Sequence, residues 1–298
     1  MTVRRNAEQA FNRLPPRIRH GVLHRFGRFA PWEPGFDFTP PPLNPGERIG
    51  PPDFVGIGVQ KAGTTWWFDL ISAHPDIWTR EGIHKERHFL DRFGSMPFGP
   101  RDVEDYHGWF PRPDGARTGE WTPDYFSLPW VPGLLKQAAP EARLLLLLRD
   151  PVERFESGLA HQRRMGTPGG PASTVEALRR GFYHQTLDEW LAHFDRSQIL
   201  IMQYERCAAE PAAQLESTFA FLGLPDDPAA SSVRPRPSAP ARRNGLDPDV
   251  RERLIEVYEP DVRALVGQVD DLDLSLWPNF SYLVGETPAP LGSPNSPT

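Results

Sequence analysis

Residues 53–75 (DFVGIGVQKAGTTWWFDLISAHP) constrain the fold most strongly, because they predict a strand, a tight loop and a helix in succession. Residues 54–59 form a short apolar run that follows Pro52, which favours a buried parallel strand. Gly63 permits a close turn, and the apolar residues after it recur at helical spacing until Pro75 ends the pattern. The stretch is therefore typical of an α/β protein.

The loop between this strand and this helix has the chemistry of an anion site. Backbone N–H groups at a helix N-terminus point outward, and the helix dipole adds roughly half a positive charge there. Lys61 adds a full charge, and Thr64 and Thr65 add hydroxyl donors. The order differs from the nucleotide-triphosphate loop G-x-x-x-x-G-K-[ST], because here Lys61 precedes Gly63. The sequence predicts a loop that holds phosphate or sulfate.

Composition limits the class of protein. The chain has 298 residues, of which 39% are hydrophobic, enough for one large or two small domains. The net charge of −6 disfavours broad binding to nucleic acid. A single cysteine, Cys207, excludes an intrachain disulfide and is predicted to be packed rather than reactive. With no apolar run near ~20 residues and no secretory signal, we expect a cytoplasmic protein.

The two ends of the chain differ from its middle in composition, and this predicts the boundaries of the main domain. Residues 1–52 are predicted to be a basic arm and a proline-rich connector, since residues 1–30 hold seven Arg and one Glu. The arm is either a helix packed on the domain or a peripheral contact with an anionic membrane or acidic acceptor. Residues 53–284 are predicted to form the main domain, and residues 285–298 a disordered tail rich in Pro and Ser.

A charged cluster follows the first helix, in the segment REGIHKERHFLDRF. Lys85, Glu86 and His88 lie together there, and such residues supply a general base and cations for group transfer. Two other interpretations are a solvated charged turn and a metal site, since His84 and His88 are four residues apart. No third ligand is evident, so no metal is predicted.

A second buried strand is predicted over residues 142–150 (ARLLLLLRD), and Pro151 suits the first turn of the next helix. Arg149 therefore lies at the carboxyl end of a strand, where open α/β sheets bind ligands. Ser157 follows two helical turns later, although a simple pair between Arg149 and Asp150 is the structural alternative.

Further elements are predicted downstream. Residues 173–194 and 247–266 favour helices, residues 198–202 favour a third strand, and Trp277 is expected to pack on the core. Residues 226–246 predict a polar, basic loop that either closes over a ligand or is solvated.

Together these elements resemble the sulfotransferases that use 3′-phosphoadenosine 5′-phosphosulfate (PAPS). KAGTTW resembles their 5′-phosphosulfate loop, and RDPVERFES resembles their 3′-phosphate-binding element. KERHF is similar to the segment that carries the base in the heparan-sulfate-type branch. GEWTPDY resembles the G-E-K-T-P-x-Y element of that branch, with Trp121 where the family often has lysine. An aromatic residue at this position is predicted to stack on a sugar or planar acceptor.

The resemblance implies a P-loop-like three-layer α/β sandwich, with a mainly parallel central sheet flanked by helices. It implies sulfuryl transfer from PAPS to a hydroxyl or amine, without a metal, and the desulfonated product PAP. The implied catalytic residues are Glu86 as general base, Lys61, Lys85 and His88. The implied donor-binding residues are Lys61, Ala62, Gly63, Thr64, Thr65, Trp66, Arg149, Ser157, Arg242 and Arg243, with Trp66 stacked on adenine.

The acceptor is predicted to be a carbohydrate, a glycolipid or another small molecule, and the branch favours carbohydrate. Two alternatives stay open. A nucleotide or sugar kinase would share the strand, loop and helix but would need a lysine after the glycine and a magnesium-binding acid. A non-catalytic PAP-binding protein would need Lys61 and Arg149 but not Glu86.

Overall fold

A parallel sheet organises the part of the chain that the structure describes. The computed structural model describes residues 29–165, 170–228, 232–235 and 245–285. Within them the strands are β1 (Glu47–Arg48), β2 (Phe54–Gly58), β3 (Arg112–Pro113), β4 (Gly119–Trp121), β5 (Arg143–Leu148) and β6 (Ile199–Gln203). The α-helices there are α1 (Thr64–Ser72), α2 (Pro100–Gly108), α3 (Val131–Ala138), α4 (Pro151–Met165), α5 (Pro171–Arg179), α6 (Tyr183–Leu191), α7 (Tyr204–Ala209), α8 (Pro211–Leu222) and α9 (Pro248–Val266).

The main sheet has the strand order β4-β2-β5-β6, and all of its neighbouring strands are parallel. Val55 of β2 is aligned with Glu120 of β4 on one side and with Leu144 of β5 on the other. Because every strand runs the same way, the carboxyl ends of all four lie at one edge. Ligands of open α/β sheets bind at that edge.

The strands of this sheet are apolar because both of its faces are covered. Residues 144–148 of β5 and Val55 and Ile57 of β2 have no exposed surface. Continuous apolar runs of this kind are typical of parallel strands packed between helices. The predicted α/β class with a parallel sheet flanked by helices is confirmed.

One predicted helix is wrong. Residues 173–194 do not form one helix, because α5 ends at Arg179 and α6 begins at Tyr183. A Cβ on Gly181 would lie 2.7 Å from the ring of Tyr258, so the break lets α9 approach closely. The carboxylate of Asp261 then accepts a 2.6 Å hydrogen bond from the backbone N–H of Tyr183 and so caps α6 from another helix.

The C-terminal prediction is confirmed. Helix α9 begins after Asp247, whose side chain accepts a 2.9 Å hydrogen bond from the N–H of Asp249. Trp277 is fully buried, and its Nε1 donates to Glu205 Oε2 at 3.0 Å. The indole therefore ties the end of the domain to the strand edge described above.

The connector packs on the domain over part of its length. Strand β1 pairs with β3 in an antiparallel ribbon, and Trp109 Nε1 donates to the carbonyl of Phe38 at 3.3 Å. The predicted domain boundary at residue 53 stays a prediction. The basic arm falls largely outside the described residues, and so do residues 286–298 of the predicted tail. Among the described helices, none has the length and apolarity needed to cross a bilayer.

Candidate active site

The loop that follows β2 is shaped by two residues in the left-handed region. Lys61 has a φ of 74° and Gly63 a φ of 91°. The amide of Ala62 donates to the carbonyl of Val59 at 3.2 Å, which closes the turn. A Cβ on Gly63 would lie 2.8 Å from the ring of Tyr204, so only glycine fits this approach. Ala62 thus has its amide engaged within the loop.

Helix α1 presents an anion site at its first turn. Gly63 is the N-cap, and the first helical hydrogen bond runs from Trp67 N to Gly63 O at 3.2 Å. Helix N-termini of this kind carry N–H groups that the i to i−4 ladder of the helix does not use. The first turn has no acidic residue; Thr64 is buried and Thr65 is exposed. The dipole and these donors favour a bound phosphate or sulfate.

Lys61 lies among other charged groups. Burial and, after it, the charge of Arg164 lower the pKa of its ammonium to about 8, and the carboxylates of Glu86 and Asp124 oppose this shift. The loop lysine and the predicted base are therefore close enough for the charge of one to alter the pKa of the other.

Glu86 is held by both of the cations that the sequence placed beside it. Lys85 Nζ donates to Glu86 Oε1 at 2.7 Å, and His88 Nε2 donates to Glu86 Oε2 at 3.3 Å. The other ring nitrogen of His88, Nδ1, donates to Asp91 Oδ2 at 2.5 Å. Glu86, His88 and Asp91 thus form a hydrogen-bonded line.

The protonation states of this line follow from its contacts. Burial raises the pKa of Glu86, but the hydrogen bonds from His88 and Lys85 outweigh burial and lower that pKa to about 2. Burial lowers the pKa of His88, but the bonds to Asp91 and Glu86 raise it to about 10. At neutral pH Glu86 is therefore an ionised carboxylate and His88 is a cation.

The end of β4 fixes the backbone around Glu86. The N–H of Arg87 donates to Glu120 Oε2 at 3.1 Å and to Thr122 Oγ1 at 2.9 Å. The N–H of Trp121 donates to the carbonyl of Lys85 at 2.9 Å. Glu120 has no exposed surface, and burial raises its pKa. The segment around Glu86 is therefore held by buried groups of β4 and the residue after it, and it is not a solvated turn.

Arg149 follows β5 and reaches the loop. Its Nη1 donates to the carbonyl of Lys61 at 3.1 Å, and its guanidinium lies 5.0 Å from the ring centre of Tyr204. Its Nε is buried without a hydrogen-bond partner among the residues that the structure describes. The nearest carboxylate in a described ion pair is Glu153, at 3.9 Å. A donor left buried in this way fits a phosphate ligand.

The alternative in which Arg149 simply pairs with Asp150 is wrong, because Asp150 has other partners. Asp150 Oδ1 accepts from the N–H of Val152 at 2.9 Å, and Oδ2 accepts from Asn279 Nδ2 at 2.9 Å. The N–H of Asp150 donates to Glu205 Oε1 at 3.1 Å. Burial raises the pKa of Glu205 to about 7. These buried contacts hold the start of α4 rigidly below Arg149.

The residues still to be placed among those predicted to bind PAPS are Ser157, Trp66 and the pair Arg242 and Arg243. Ser157 lies half-buried on α4, and Trp66 lies half-buried in the first turn of α1, 5.1 Å from the ring of Trp67. Arg242 and Arg243 lie outside the described residues. Their predicted roles, and that of Trp66 at adenine, stay predictions.

Trp121 does not stack on an acceptor, so that prediction is wrong. The indole has no exposed surface, and its Nε1 donates to the carbonyl of Gly58 at 3.1 Å. A Cβ on Gly56 would lie 2.1 Å from the ring. The side chain crosses β2 and fills the core, where a glycine leaves room for it.

Some residues of the site were not predicted from the sequence. Asp124 follows β4 and forms an ion pair with Arg180, and Asp91 completes the line through His88. Asp91, Asp124 and His88 offer ligand atoms within 4.8 Å of one another, unlike the His84 and His88 pair considered above. Both ring nitrogens of His88 are engaged by carboxylates, so this cluster is an ion-pair network. In the sequence, only the three-residue spacing of His88 and Asp91 could have indicated this network.

These features define a class of protein. A parallel sheet carries a loop suited to anions with a half-buried lysine, an arginine with an unused donor, and an ionised carboxylate. That combination is suited to an enzyme that transfers a group from a phosphorylated donor.

Comparison with known families defines the class further. The sequence model of the family described as "Sulfotransferase domain" matches residues 51–235, more than half of the chain. The chain therefore belongs to this family, and the resemblance predicted from its sequence motifs is confirmed.

The similar proteins include enzymes of the heparan sulfate group. Heparan sulfate glucosamine 3-O-sulfotransferase 6 from Mus musculus is 34% identical over 195 residues, which are 60% of this chain and 54% of that protein. Bifunctional heparan sulfate N-deacetylase/N-sulfotransferase 2 from Homo sapiens is 29% identical over 195 residues, which are 58% of this chain and 22% of that protein. The chain spans about half the length of the 3-O-sulfotransferase it matches.

A solved structure agrees on the fold. The crystal structure of a sulfotransferase from Alicyclobacillus acidocaldarius aligns with a TM-score of 0.62 and 24% identity, over 77% of this chain and 99% of that chain. The chain therefore has the P-loop-like α/β fold of sulfotransferases.

Proposed function

We propose that this chain transfers a sulfuryl group from PAPS to a hydroxyl or amine of a carbohydrate, glycolipid or small-molecule acceptor. One observation carries the proposal: Arg149 at the end of β5 is bonded to the carbonyl of Lys61 in the loop after β2, and the charge of Glu86 acts on the pKa of the same lysine. The membership of residues 51–235 in the sulfotransferase domain family supports it.

The donor fits the groups present. The positive end of the α1 dipole, with Thr64, Thr65 and Lys61, suits the 5′-phosphosulfate. The unpaired Nε of Arg149 and the hydroxyl of Ser157 suit the 3′-phosphate. The donor supplies the sulfuryl group, and PAP is the leaving group.

Each residue proposed to lie near the acceptor has its own role in the reaction. Glu86, ionised at neutral pH, takes the proton of the acceptor hydroxyl as a new sulfur–oxygen bond forms and the bond to the 5′-phosphate breaks. Lys61 stabilises the negative charge that develops on the oxygen of that phosphate. Lys85 and His88 orient the carboxylate and leave one of its lone pairs to the acceptor. This chemistry requires no metal, and we propose that none is used.

The rival functions are less well supported. The loop lacks the lysine-after-glycine order of a kinase, and the chain belongs to a different family. A non-catalytic PAP-binding protein would not need the Glu86, His88 and Asp91 line. Because relatives are named for heparan sulfate, we propose carbohydrate as the first acceptor class to test. A cytoplasmic location stays a prediction.

The decisive experiment compares binding with turnover. Glu86→Gln keeps the size of the side chain and removes the base, so turnover should fall by about 10²- to 10⁴-fold. The dissociation constant for PAP, measured by calorimetry, should not change. Glu81→Gln is the matched control, because Glu81 is exposed in the same segment. Full turnover in Glu86→Gln would remove Glu86 from the role of base. Wild-type protein that binds PAP but never transfers sulfate would instead be a binding protein.

A further inference from the structure

A cavity of about 470 Å³ lies beside the catalytic line. One wall comes from residues 31–36 and Phe38 of the connector, and the other from His88, Asp91, Arg92 and Asp124. We refer to it as the connector cavity. His88 links it to the reaction centre, because one ring nitrogen contacts Asp91 inside the cavity and the other contacts Glu86. A group bound there would lie beside His88, the residue that bonds the proposed base.

The connector wall carries an unusually exposed aromatic side chain. Trp32 is 53% exposed, yet its ring lies 5.5 Å from the ring of His88, in an edge contact. Phe36 and Phe38 support the wall, with ring centres 4.8 Å apart, and Phe36 also lies 5.9 Å from the ring of Trp109. A large amphipathic ring held half in solvent beside a base is suited to stack on a planar or pyranose ring.

The opposite wall offers acceptors for hydroxyl groups. Asp91 uses Oδ2 on His88, and its Oδ1 is buried without a hydrogen-bond partner in the described part of the chain. Asp124 uses one oxygen on Arg180. A carboxylate accepts hydrogen bonds at both oxygens, so the second oxygen of the partly exposed Asp124 can still receive a hydroxyl. Asp91 Oδ1 lies beneath the surface of the cavity. A sugar hydroxyl would bond the second oxygen of Asp124.

The charges lining the cavity give a polyanion no excess of positive charge to bind. The carboxylates are Glu33, Asp91 and Asp124, whereas the cations are His88 and Arg92. The guanidinium of Arg92 lies 4.3 Å from the ring centre of Phe38 and is thereby held against the aromatic wall. No lysine lines the cavity. A sulfated or carboxylated polysaccharide would bring more negative charge to this lining, whereas an uncharged sugar would not.

We propose that the connector cavity is the acceptor subsite and that it takes an uncharged sugar ring, stacked on Trp32, with one hydroxyl directed to Glu86. The proposal rests on the proposed sulfotransferase function and narrows its acceptor class. The proposed acceptor class differs from the heparan sulfate for which the relatives are named, because the lining of the cavity offers no excess of positive charge to a polyanion.

The test measures transfer of radiolabelled sulfate from PAPS to two groups of acceptors. The first is uncharged: methyl glucosides, galactosides and mannosides, maltose and cellobiose. The second is polyanionic: heparosan and heparan sulfate. We expect transfer to at least one uncharged sugar, with a higher kcat/KM than to either polyanion.

The same assay is repeated on variants of Trp32. Trp32→Ala should raise the KM for the uncharged acceptor at least about tenfold and leave the KM for PAPS unchanged, while Trp32→Phe should restore part of the loss. Trp78→Ala is the matched control, because Trp78 is 37% exposed and does not line the cavity. Thermal melts confirm that each variant is folded.

Each outcome of this test supports or overturns the subsite proposal. If PAP binds but sulfate goes only to the polyanions, or to none of the acceptors offered, the proposal is overturned. An unchanged KM for the uncharged acceptor in Trp32→Ala also overturns the subsite proposal. A preference for polyanions or an unchanged KM leaves the proposed sulfotransferase function intact. If PAP does not bind, the proposed function fails and the subsite proposal falls with it.

Discussion

Arg149 donates a hydrogen bond from Nη1 to the carbonyl oxygen of Lys61 at 3.1 Å. The bond joins the residue after β5 to the loop after β2, and these two strands are neighbours in the sheet. Two positively charged groups are thus held together at the site proposed for the donor. The arginine supports the loop, and we propose that it also contacts the 3′-phosphate of the donor.

These two tasks lead to the first prediction. Arg149→Gln should weaken PAP binding about 10- to 100-fold, since hydrogen bonds to charged groups contribute about 1.5–3 kcal/mol. ADP has no 3′-phosphate, so its affinity should fall much less. Calorimetric titration of both nucleotides measures the difference.

Arg253→Gln provides the control, because Arg253 is exposed on α9. An equal loss of PAP and ADP affinity in Arg149→Gln would mean that Arg149 only supports the loop through the Lys61 carbonyl.

The second prediction concerns pH. Burial lowers the pKa of Lys61 to about 8, so the free protein loses this positive charge as pH rises through that value. Phosphate groups are already fully ionised above pH 7. The affinity for PAP should therefore fall between pH 7 and pH 9.5.

Lys61→Arg tests the cause, because a guanidinium stays charged over this whole range. Its PAP affinity should be lower but nearly independent of pH. A wild-type protein whose PAP affinity does not change between pH 7 and 9.5 would contradict the prediction.

The third prediction concerns Gly56 and Trp121. A Cβ on Gly56 would lie 2.1 Å from the indole, so Gly56→Ala forces the ring or β2 to move. We expect a loss of unfolding free energy of about 1–3 kcal/mol or more, as is usual for overpacked cores. Urea unfolding measures it.

Gly158→Ala is the matched control for this change. A Cβ on Gly158 meets no atom within 4 Å, and alanine is favoured over glycine inside a helix such as α4 by about 1 kcal/mol. Equal stability of Gly56→Ala and wild type would show that the indole relocates without cost.

The sequence predicted three of the four strands of the main sheet and the loop residues, because apolar runs and glycine are local signals; the three-residue strand β4 was not predicted. Residues 144–148 and the K-A-G-T-T order needed no knowledge of the rest of the chain. Contacts between distant segments could not be predicted in this way. Asp124 pairs with Arg180, which belongs to no motif, and the break at Gly181 depends on Tyr258 of another helix.

The destination of Trp121 shows the same limit. Its motif indicated a position at the acceptor, but alternation along β4 sends its side chain across β2 instead. The connector cavity was also beyond prediction, because turns between residues 31 and 36 decide which side chains face His88.

The strand order has a consequence for folding. Strand β2 lies at the centre of the sheet but comes first in the chain among its four strands, and both of its neighbours, β4 and β5, follow much later. During synthesis its apolar segment has two unpaired edges until residues 119–148 have emerged. Such edges favour aggregation, and the distant pairing slows folding. Fragments that end before β5 should therefore be insoluble, and the nascent chain depends on protection of β2 until its partners arrive.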